Sequence, residues 1–164
     1  MPIVQGTEIK SIAQHIAILR KDPTLGRQTL VAEATWNGTN LSSRVVPNDT
    51  IQGSGGECLY AEDLLEILAC CVVNDIIGYG AHEDVEAARA HVRVEGDLDF
   101  GGSLGLGGPA GFKALRVDVS IDTNATGKEV ENLMGTVRKS SIVAQSLGAV
   151  PQSWAVKAAR EVAA

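Results

Sequence analysis

The chain has 164 residues, a length that fits one domain able to bury its own hydrophobic core. Its formal net charge is −6 and its pI is about 5.0. Nucleic acids and anionic membrane surfaces both need clustered cations on their partner, so the composition argues against both. Hydrophobic residues make up 45% of the chain and aromatic residues only 4%, which predicts an aliphatic core.

The start of the chain, from Met1 to Gly6, lacks the charged and apolar regions of a signal peptide. No apolar run reaches the roughly 18 residues that a membrane span needs. We therefore expect a cytoplasmic protein, in which Cys58, Cys70 and Cys71 stay as thiols. Three cysteines cannot form a fully paired disulfide framework.

The first third of the chain predicts a helix followed by a hairpin. Residues 7–21 place apolar side chains at helical spacing, with Thr7 as the N-cap and Asp22-Pro23 as the stop. Alternating strands then flank the hairpin turn signal Asn37-Gly38, at residues 28–36 and 41–46.

The most informative segment is residues 61–79, which are apolar on nearly every side of a predicted helix. Such a helix lies inside a protein, and at this length it is too short to span a membrane. A small protein rarely buries one helix on all sides alone. We therefore expect a partner subunit to cover the remaining face, in an obligate homodimer.

The second half predicts two further strands, at residues 91–100 and 112–123, then a helix over residues 126–147. The tail from Ser153 to Ala164 is Ala-rich and predicts a helix. Helices and strands are segregated, and no repeated βαβ pattern, internal repeat or domain boundary is visible. The sequence thus predicts a single α+β domain, residues 1–164, with mainly antiparallel sheets.

Two patterns that could bind a cofactor or a metal are weak. Residues 101–111 have glycines at dinucleotide-like spacing, but a strand follows them, so no helix N-terminus meets a phosphate. We expect a mobile connection there and no nucleotide cofactor. His15, His82 and His91 are scattered over different elements without ligand spacing, and we expect no metal site.

The segment Leu64-Leu65-Glu66-Ile67-Leu68-Ala69-Cys70-Cys71 resembles the central-helix motif of the OsmC/Ohr (osmotically inducible protein C / organic hydroperoxide resistance) family. There a leucine run precedes small residues and the reactive cysteine, and Tyr79, eight residues on, fits the same pattern. The resemblance covers roughly residues 28–147 and continues in order through residues 94–99, 104–106, 111–113 and 140–143.

The resemblance implies an OsmC-like fold, with antiparallel sheets around a buried central helix in an intertwined homodimer. Residues 1–27 would be a helical extension at the N-terminus of this domain. The family pattern implies two thiols per site, a peroxidatic cysteine that maps onto Cys71 and a resolving cysteine whose position holds Ser141. Serine cannot form a disulfide, so the two-cysteine cycle cannot run here as the family runs it.

The thiolate is the nucleophilic form of cysteine, and a nearby cation favours it. Cys71 lies mid-helix, beyond the range of the helix dipole, and none of its helical neighbours is positive: Ile67, Leu68, Asn74 and Asp75. The resemblance implies an activating arginine from the early strands, with Arg44 the first candidate and Arg27 the second. A glutamate before the helix would hold that arginine, with Glu62 or Glu57 in this role.

Each thiol also has a plainer interpretation. Cys71 could be a small inert core residue, since buried free cysteine is common. Cys70 points about 100° away from Cys71 around the helix, which favours packing over a disulfide between them. Cys58, in the loop before the helix, is either an unpaired thiol or a substitute resolving cysteine.

The sequence leaves two functions open. The first is a thiol-dependent redox or organic hydroperoxide detoxification protein with reduced peroxidase activity, whose substrate would be a small hydroperoxide. The second is a non-catalytic OsmC-fold protein that binds a small apolar ligand in the cavity at the dimer interface. The retained Cys71 favours the first function, and the serine at position 141 favours the second.

Overall fold

The computed structural model describes residues 3–4, 7–47 and 59–159, with side chains over residues 13–47 and 61–159. The elements in chain order are β1 (Ile3–Val4), β2 (Thr7–Glu8), α1 (Ile9–Lys21), a 3₁₀ turn (Pro23–Gly26), β3 (Arg27–Trp36), β4 (Leu41–Val46), α2 (Leu59–His82), β5 (Arg89–Asp99), α3 (Phe100–Ser103), β6 (Phe112–Asp122), α4 (Gly127–Ser140), α5 (Ile142–Ser146) and β7 (Gln152–Ala159).

The main sheet has five strands in the order β4-β3-β5-β6-β7, and this one chain supplies all of them. Neighbouring strands run antiparallel except β6 and β7, which are parallel. A parallel pair needs a crossover connection, and α4 and α5 provide it. The α+β class with mainly antiparallel strands is therefore confirmed.

The helices α2 and α4 cover one face of this sheet. Strand residues alternate between that face and solvent, as in β5, where every second residue from Ala90 to Leu98 is buried. The core between sheet and helices is aliphatic, and its largest fully buried side chains include Leu30, Leu65, Leu68, Ile76, Val92, Val94, Leu115, Ile121 and Leu133. The aliphatic core that the composition predicts is thus present.

Helix α2 is longer than the sequence pattern indicates, with 24 residues from Leu59 to His82. By length and composition alone it is able to cross a bilayer, so the expectation that it is too short for that was wrong. Its side chains Leu65, Leu68 and Val72 are fully buried against the sheet. That packing is typical of the core helix of a globular domain.

Three predicted boundaries were wrong for local reasons. Thr7 belongs to the short strand β2, which pairs with β1, so it does not cap a helix, and α1 begins at Ile9. The single helix predicted over residues 126–147 is two helices that meet at Ser141. Thr126 and Glu129 form a reciprocal capping box at its start.

The C-terminal tail was predicted as a helix, and over Gln152–Ala159 it is a strand. Its inward side chains Trp154 and Val156 alternate with exposed residues and pair in register with β6. Aromatic and β-branched side chains favour strands, and pairing with a neighbouring strand outweighs the helix preference of the alanines.

The glycine-rich connection begins as the short helix α3, whose first turn is capped by the Asp99 carboxylate. It ends in glycines with positive φ angles, a conformation that other residues rarely adopt: Gly105, Gly107, Gly108 and Gly111. The strand β6 follows directly, as expected.

The outer face of the sheet carries a ladder of ion pairs across four strands. Arg44 on β4 and Arg93 on β5 both contact Glu33 on β3, each at 2.8 Å. Arg93 and Arg116 in turn share Glu95. Arg116 also binds Asp97, with N···O distances of 2.6 and 2.9 Å. Alternating charges on neighbouring strands stabilise the sheet face that the helices leave exposed.

Asp97 provides a test of this ladder. Hydrogen bonds from Arg116 lower the pKa of Asp97 from 3.8 to about 2. A lowered carboxyl pKa adds stability that is complete above the unfolded pKa and is lost as the pH falls from about 4 towards 2. Because Asp97 is partly exposed, we expect Asp97→Asn to lower the free energy of unfolding at pH 7 by only about 1 kcal/mol.

Urea unfolding at pH 7, 4 and 2 measures this difference. The loss should shrink towards zero at pH 2, where both proteins carry a neutral group at this position. Asp118→Asn is the matched control, because Asp118 is an exposed carboxylate of the same strand as Arg116 that makes no ion pair within the described residues. An equal loss from both substitutions would argue against a specific role of the ladder.

Candidate functional site

Cys71 lies halfway along α2 and is partly exposed. Its Sγ atom is 3.4 Å from the Ser141 Oγ, within hydrogen-bonding distance. On the other side the thiol donates to the Asp75 carboxylate, with 3.7 Å between Sγ and Oδ2. The structure therefore brings Cys71 and Ser141 together, along with a carboxylate one helical turn away.

Ser141 reaches Cys71 because the second helical segment breaks at this residue. Its N–H completes α4 by bonding to the Val137 carbonyl, while its extended backbone (φ −63°, ψ 112°) starts α5 in a new direction. Its hydroxyl does not cap α5, and the side chain is fully buried. The break therefore fixes a buried hydroxyl beside the thiol.

Asp75 is the carboxylate that the sequence placed one turn after Cys71. The i, i+4 spacing puts the two side chains on the same helix face, and the structure shows the contact. A negative charge beside a thiol disfavours the thiolate. No lysine or arginine of the described residues binds Cys71 to offset it. In the isolated chain, the surroundings of Cys71 therefore favour the neutral thiol.

The structure does not bring Arg44 to Cys71. The neighbouring Ser43 donates to Glu66 on α2, so Ser43 faces the helix. Arg44, the next residue along the strand, faces the opposite side of the sheet, where it donates to Glu33. Arg27, the second candidate, is exposed at the start of β3, and its charge acts on Asp99.

Glu62 lies in the first turn of α2 and is only 9% exposed. Burial, together with the neighbouring Asp63, raises the pKa of this carboxyl. Within the described residues Glu62 forms no ion pair, and the arginine expected beside it has another carboxylate as its partner. The predicted arginine–glutamate pair is therefore not assembled within one chain.

The remaining candidate thiols separate clearly. Cys70 is partly buried and packs against the hydrophobic core, as its position on the helix predicts. Cys58 and Glu57 lie outside the described residues.

The surface around Cys71 is apolar. Ile67, one turn before it on α2, is 54% exposed, and Ile142, directly after Ser141, is 78% exposed. We call this pair the thiol patch. An apolar surface beside the thiol suits a hydrophobic molecule or a second protein surface.

Other kinds of site are not evident in the described part of the chain. It contains no group of three or more His, Cys, Asp or Glu side chains arranged to hold a metal ion. A cavity of about 370 Å³ lies between α4 and β7, and the residues that line it do not include Cys71: Gly127, Val130, Glu131, Met134, Arg138, Val156 and Ala158.

Solved structures share this architecture. An OsmC-like protein from Mycoplasma pneumoniae superposes with a TM-score of 0.53 at 14% sequence identity, over 78% of this chain and 94% of that protein. The chain has an OsmC-like fold. An OsmC-like hydroperoxide resistance protein from Jannaschia sp. CCS1 superposes with a TM-score of 0.52 at 13% identity, over 75% of this chain and 87% of that one. No protein-family model matches the sequence, and no curated protein matches it.

The charge beside the thiol makes a direct prediction for this OsmC-like protein. Asp75→Asn removes the negative charge but keeps a side chain of the same size, so we expect Cys71 to be alkylated about three to ten times faster at pH 7. The measurement is the rate of iodoacetamide labelling in a Cys58→Ser, Cys70→Ser background.

Asp63→Asn is the control, since it removes a carboxylate from the same helix two turns before the thiol. We expect it to leave the labelling rate unchanged. A slower reaction of Cys71 in the Asp75→Asn protein would show that the carboxylate assists the thiol, contrary to this interpretation.

Proposed function

We propose that this protein reacts with small organic hydroperoxides through Cys71 and is a one-thiol variant of a hydroperoxide-detoxifying protein. The observation that carries the proposal is the contact between the partly exposed Cys71 thiol and the buried Ser141 hydroxyl, 3.4 Å apart. One of the proteins that share the fold is a hydroperoxide resistance protein, which supports the same direction.

The reaction forms one bond and breaks another. The Cys71 sulfur attacks the terminal oxygen of the hydroperoxide, the O–O bond breaks, and the thiol proton goes to the departing alkoxide. The products are a cysteine sulfenic acid and an alcohol, so the thiol is oxidised as the peroxide is reduced. Neighbouring Ile67 and Ile142 favour an apolar organic group on the hydroperoxide.

The hydroxyl of Ser141 determines the fate of the sulfenic acid. A cysteine at this place would close a disulfide, whereas serine can only hydrogen-bond to the oxidised sulfur. We propose that the sulfenic acid therefore persists until an external thiol reduces it. Turnover with dithiol reductants should be poor, and excess peroxide should drive the sulfur to the sulfinic acid.

Mass spectrometry after one equivalent of cumene hydroperoxide tests the proposed function. With dimedone as a trap, we expect the sulfenic acid adduct on Cys71 to form faster than on Cys70. Cys71→Ser, which should abolish the adduct, is the control. An unmodified Cys71 at equal exposure would contradict the proposal, and a Cys58–Cys71 disulfide would show that the chain carries its resolving thiol elsewhere.

A second variant tests the geometry. Ser141→Cys should form an intramolecular disulfide with Cys71 after the same treatment, because Cα atoms within about 7 Å permit the bond and the native side-chain atoms are already in contact. Ser140→Cys, one residue earlier on the exposed end of α4, is the control and should form none. A disulfide in neither variant would contradict the geometry proposed here.

We also propose that the protein functions as a homodimer. In the single chain, an exposed stripe of α2 runs from Ile67 through Asn74 and Gly78 to Ala81. The stripe has few bulky side chains, and a Cβ atom added at Gly78 would meet nothing within 4 Å. A second subunit can approach such a surface closely, and its contact would bury the last open side of the helix.

The dimer should bury more than about 2,000 Å² in total, the size of an obligate interface. Sedimentation velocity at micromolar concentration measures the state, and we expect a single species of twice the chain mass. Gly78→Arg should shift it towards the monomer, while the exposed control Lys128→Glu should not. A monomeric native protein would refute the dimer.

The charge beside Cys71 supports a second candidate function. A thiol held by a carboxylate within an apolar surface also suits a non-catalytic protein that binds a small apolar ligand at the dimer interface. In that case Cys71 would stay unmodified by hydroperoxide, and an apolar ligand would protect it from alkylation.

A further inference from the structure

Within the described side chains, the large hydrophobic residues that are markedly exposed form two pairs. One pair is the thiol patch, Ile67 and Ile142. The other lies near the N-terminus, where Ile18 on α1 is 49% exposed and Leu25 in the 3₁₀ turn is 55% exposed. We call the second pair the N-terminal patch. Each pair leaves apolar surface in water that a partner could bury.

The helix α1 is weakly held by its own chain. Over its described side chains, residues 13–21, only Leu19 is buried, and its principal contacts are with β2 and the 3₁₀ turn. The sequence of α1 repeats apolar residues with helical spacing. An amphipathic helix with so little packing of its own needs another surface to cover its apolar side.

The charges of α1 and α2 are complementary. The sequence of α1 carries three cations and no carboxylate, and the cations are Lys10, Arg20 and Lys21. The sequence of α2 carries four carboxylates and no lysine or arginine, and the carboxylates are Glu62, Asp63, Glu66 and Asp75. Complementary charges at an interface select the partner and speed its encounter.

A twofold dimer can satisfy both patches at once. In such an interface, if one surface of the first subunit contacts a different surface of the second, the reverse contact forms as well. We propose that α1 of each subunit packs across the exposed face of α2 of its partner, with the N-terminal patch against the thiol patch. Arg20 and Lys21 then lie towards the carboxylates of that α2.

This arrangement gives Cys71 the cation that its own chain does not supply. Asp75 contacts the thiol, and within the described residues no lysine or arginine does. A cation from the partner's α1 would offset the charge of Asp75 and favour the thiolate. The proposal rests on the dimer of the proposed function, and it adds that the partner's helix completes each site.

Disulfide trapping between two different chains tests the contact. One chain carries Ile18→Cys with Cys58, Cys70 and Cys71 all replaced by serine, and the other keeps Cys71 as its only cysteine. The two chains are co-expressed with different tags, purified together and oxidised with diamide. We expect a covalent heterodimer on a non-reducing gel, with the disulfide between position 18 and Cys71.

A cysteine on the outer face of the sheet, Asp118→Cys in place of Ile18→Cys, is the matched control and should give no heterodimer. If the two chains co-purify without the expected disulfide, or if both cysteines trap equally, the contact is refuted. The trapping requires no reaction with hydroperoxide. Loss of the contact with normal peroxide oxidation of Cys71 would therefore refute this inference and leave the proposed function standing.

Charge reversal provides an independent measurement. Arg20→Glu with Lys21→Glu should raise the dimer dissociation constant at least about tenfold at low salt, with a smaller effect at high salt. It should also slow the alkylation of Cys71 in a Cys58→Ser, Cys70→Ser background. Arg89→Glu, an exposed site at the start of β5, is the control and should change neither quantity. Equal effects from both variants would overturn the inference.

Discussion

The structure depends on the burial of one helix. Helix α2 has apolar side chains on almost every side, and each must leave water for the domain to be stable. The sheet covers one side of α2 and α4 covers another, which leaves the stripe through Ile67 and Gly78. The position of Cys71 at the edge of that stripe places the thiol where the fold ends and a partner begins.

The same constraint explains the polarity of the sheet. Its inner face is aliphatic because α2 lies on it, so the charges of its strands must project outwards. There the arginines and carboxylates neutralise one another along the ladder. Arg44 is used in that ladder, and this is why a single chain offers Cys71 no arginine from the early strands.

Much of the fold could be predicted from the sequence, because periodicity reports burial. The hairpin at Asn37-Gly38, the two long central strands and the core helix all follow from alternating or continuous apolar patterns. The tail could not be predicted in the same way. Its alanines favour a helix, and only pairing with β6, a contact far away in sequence, makes Gln152–Ala159 a strand.

The site could be predicted in part. The i, i+4 spacing of Cys71 and Asp75 was sufficient to predict their proximity, because local helix geometry determines it. The resemblance that pairs position 141 with Cys71 pointed to Ser141, but the helix break that brings it to the thiol has no strong signal in residues 126–147. The direction in which Arg44 points depends on strand register, and one residue along a strand reverses the face.

The parallel pairing of β6 with β7 has a consequence for how the chain folds. β7 is the last strand in sequence, and it can join the sheet only after the crossover through α4 and α5 has turned the chain around. During synthesis the edge of β6 therefore stays open until the final residues leave the ribosome. Contacts between distant parts of a chain form slowly, so this edge is the place where folding intermediates would associate with each other.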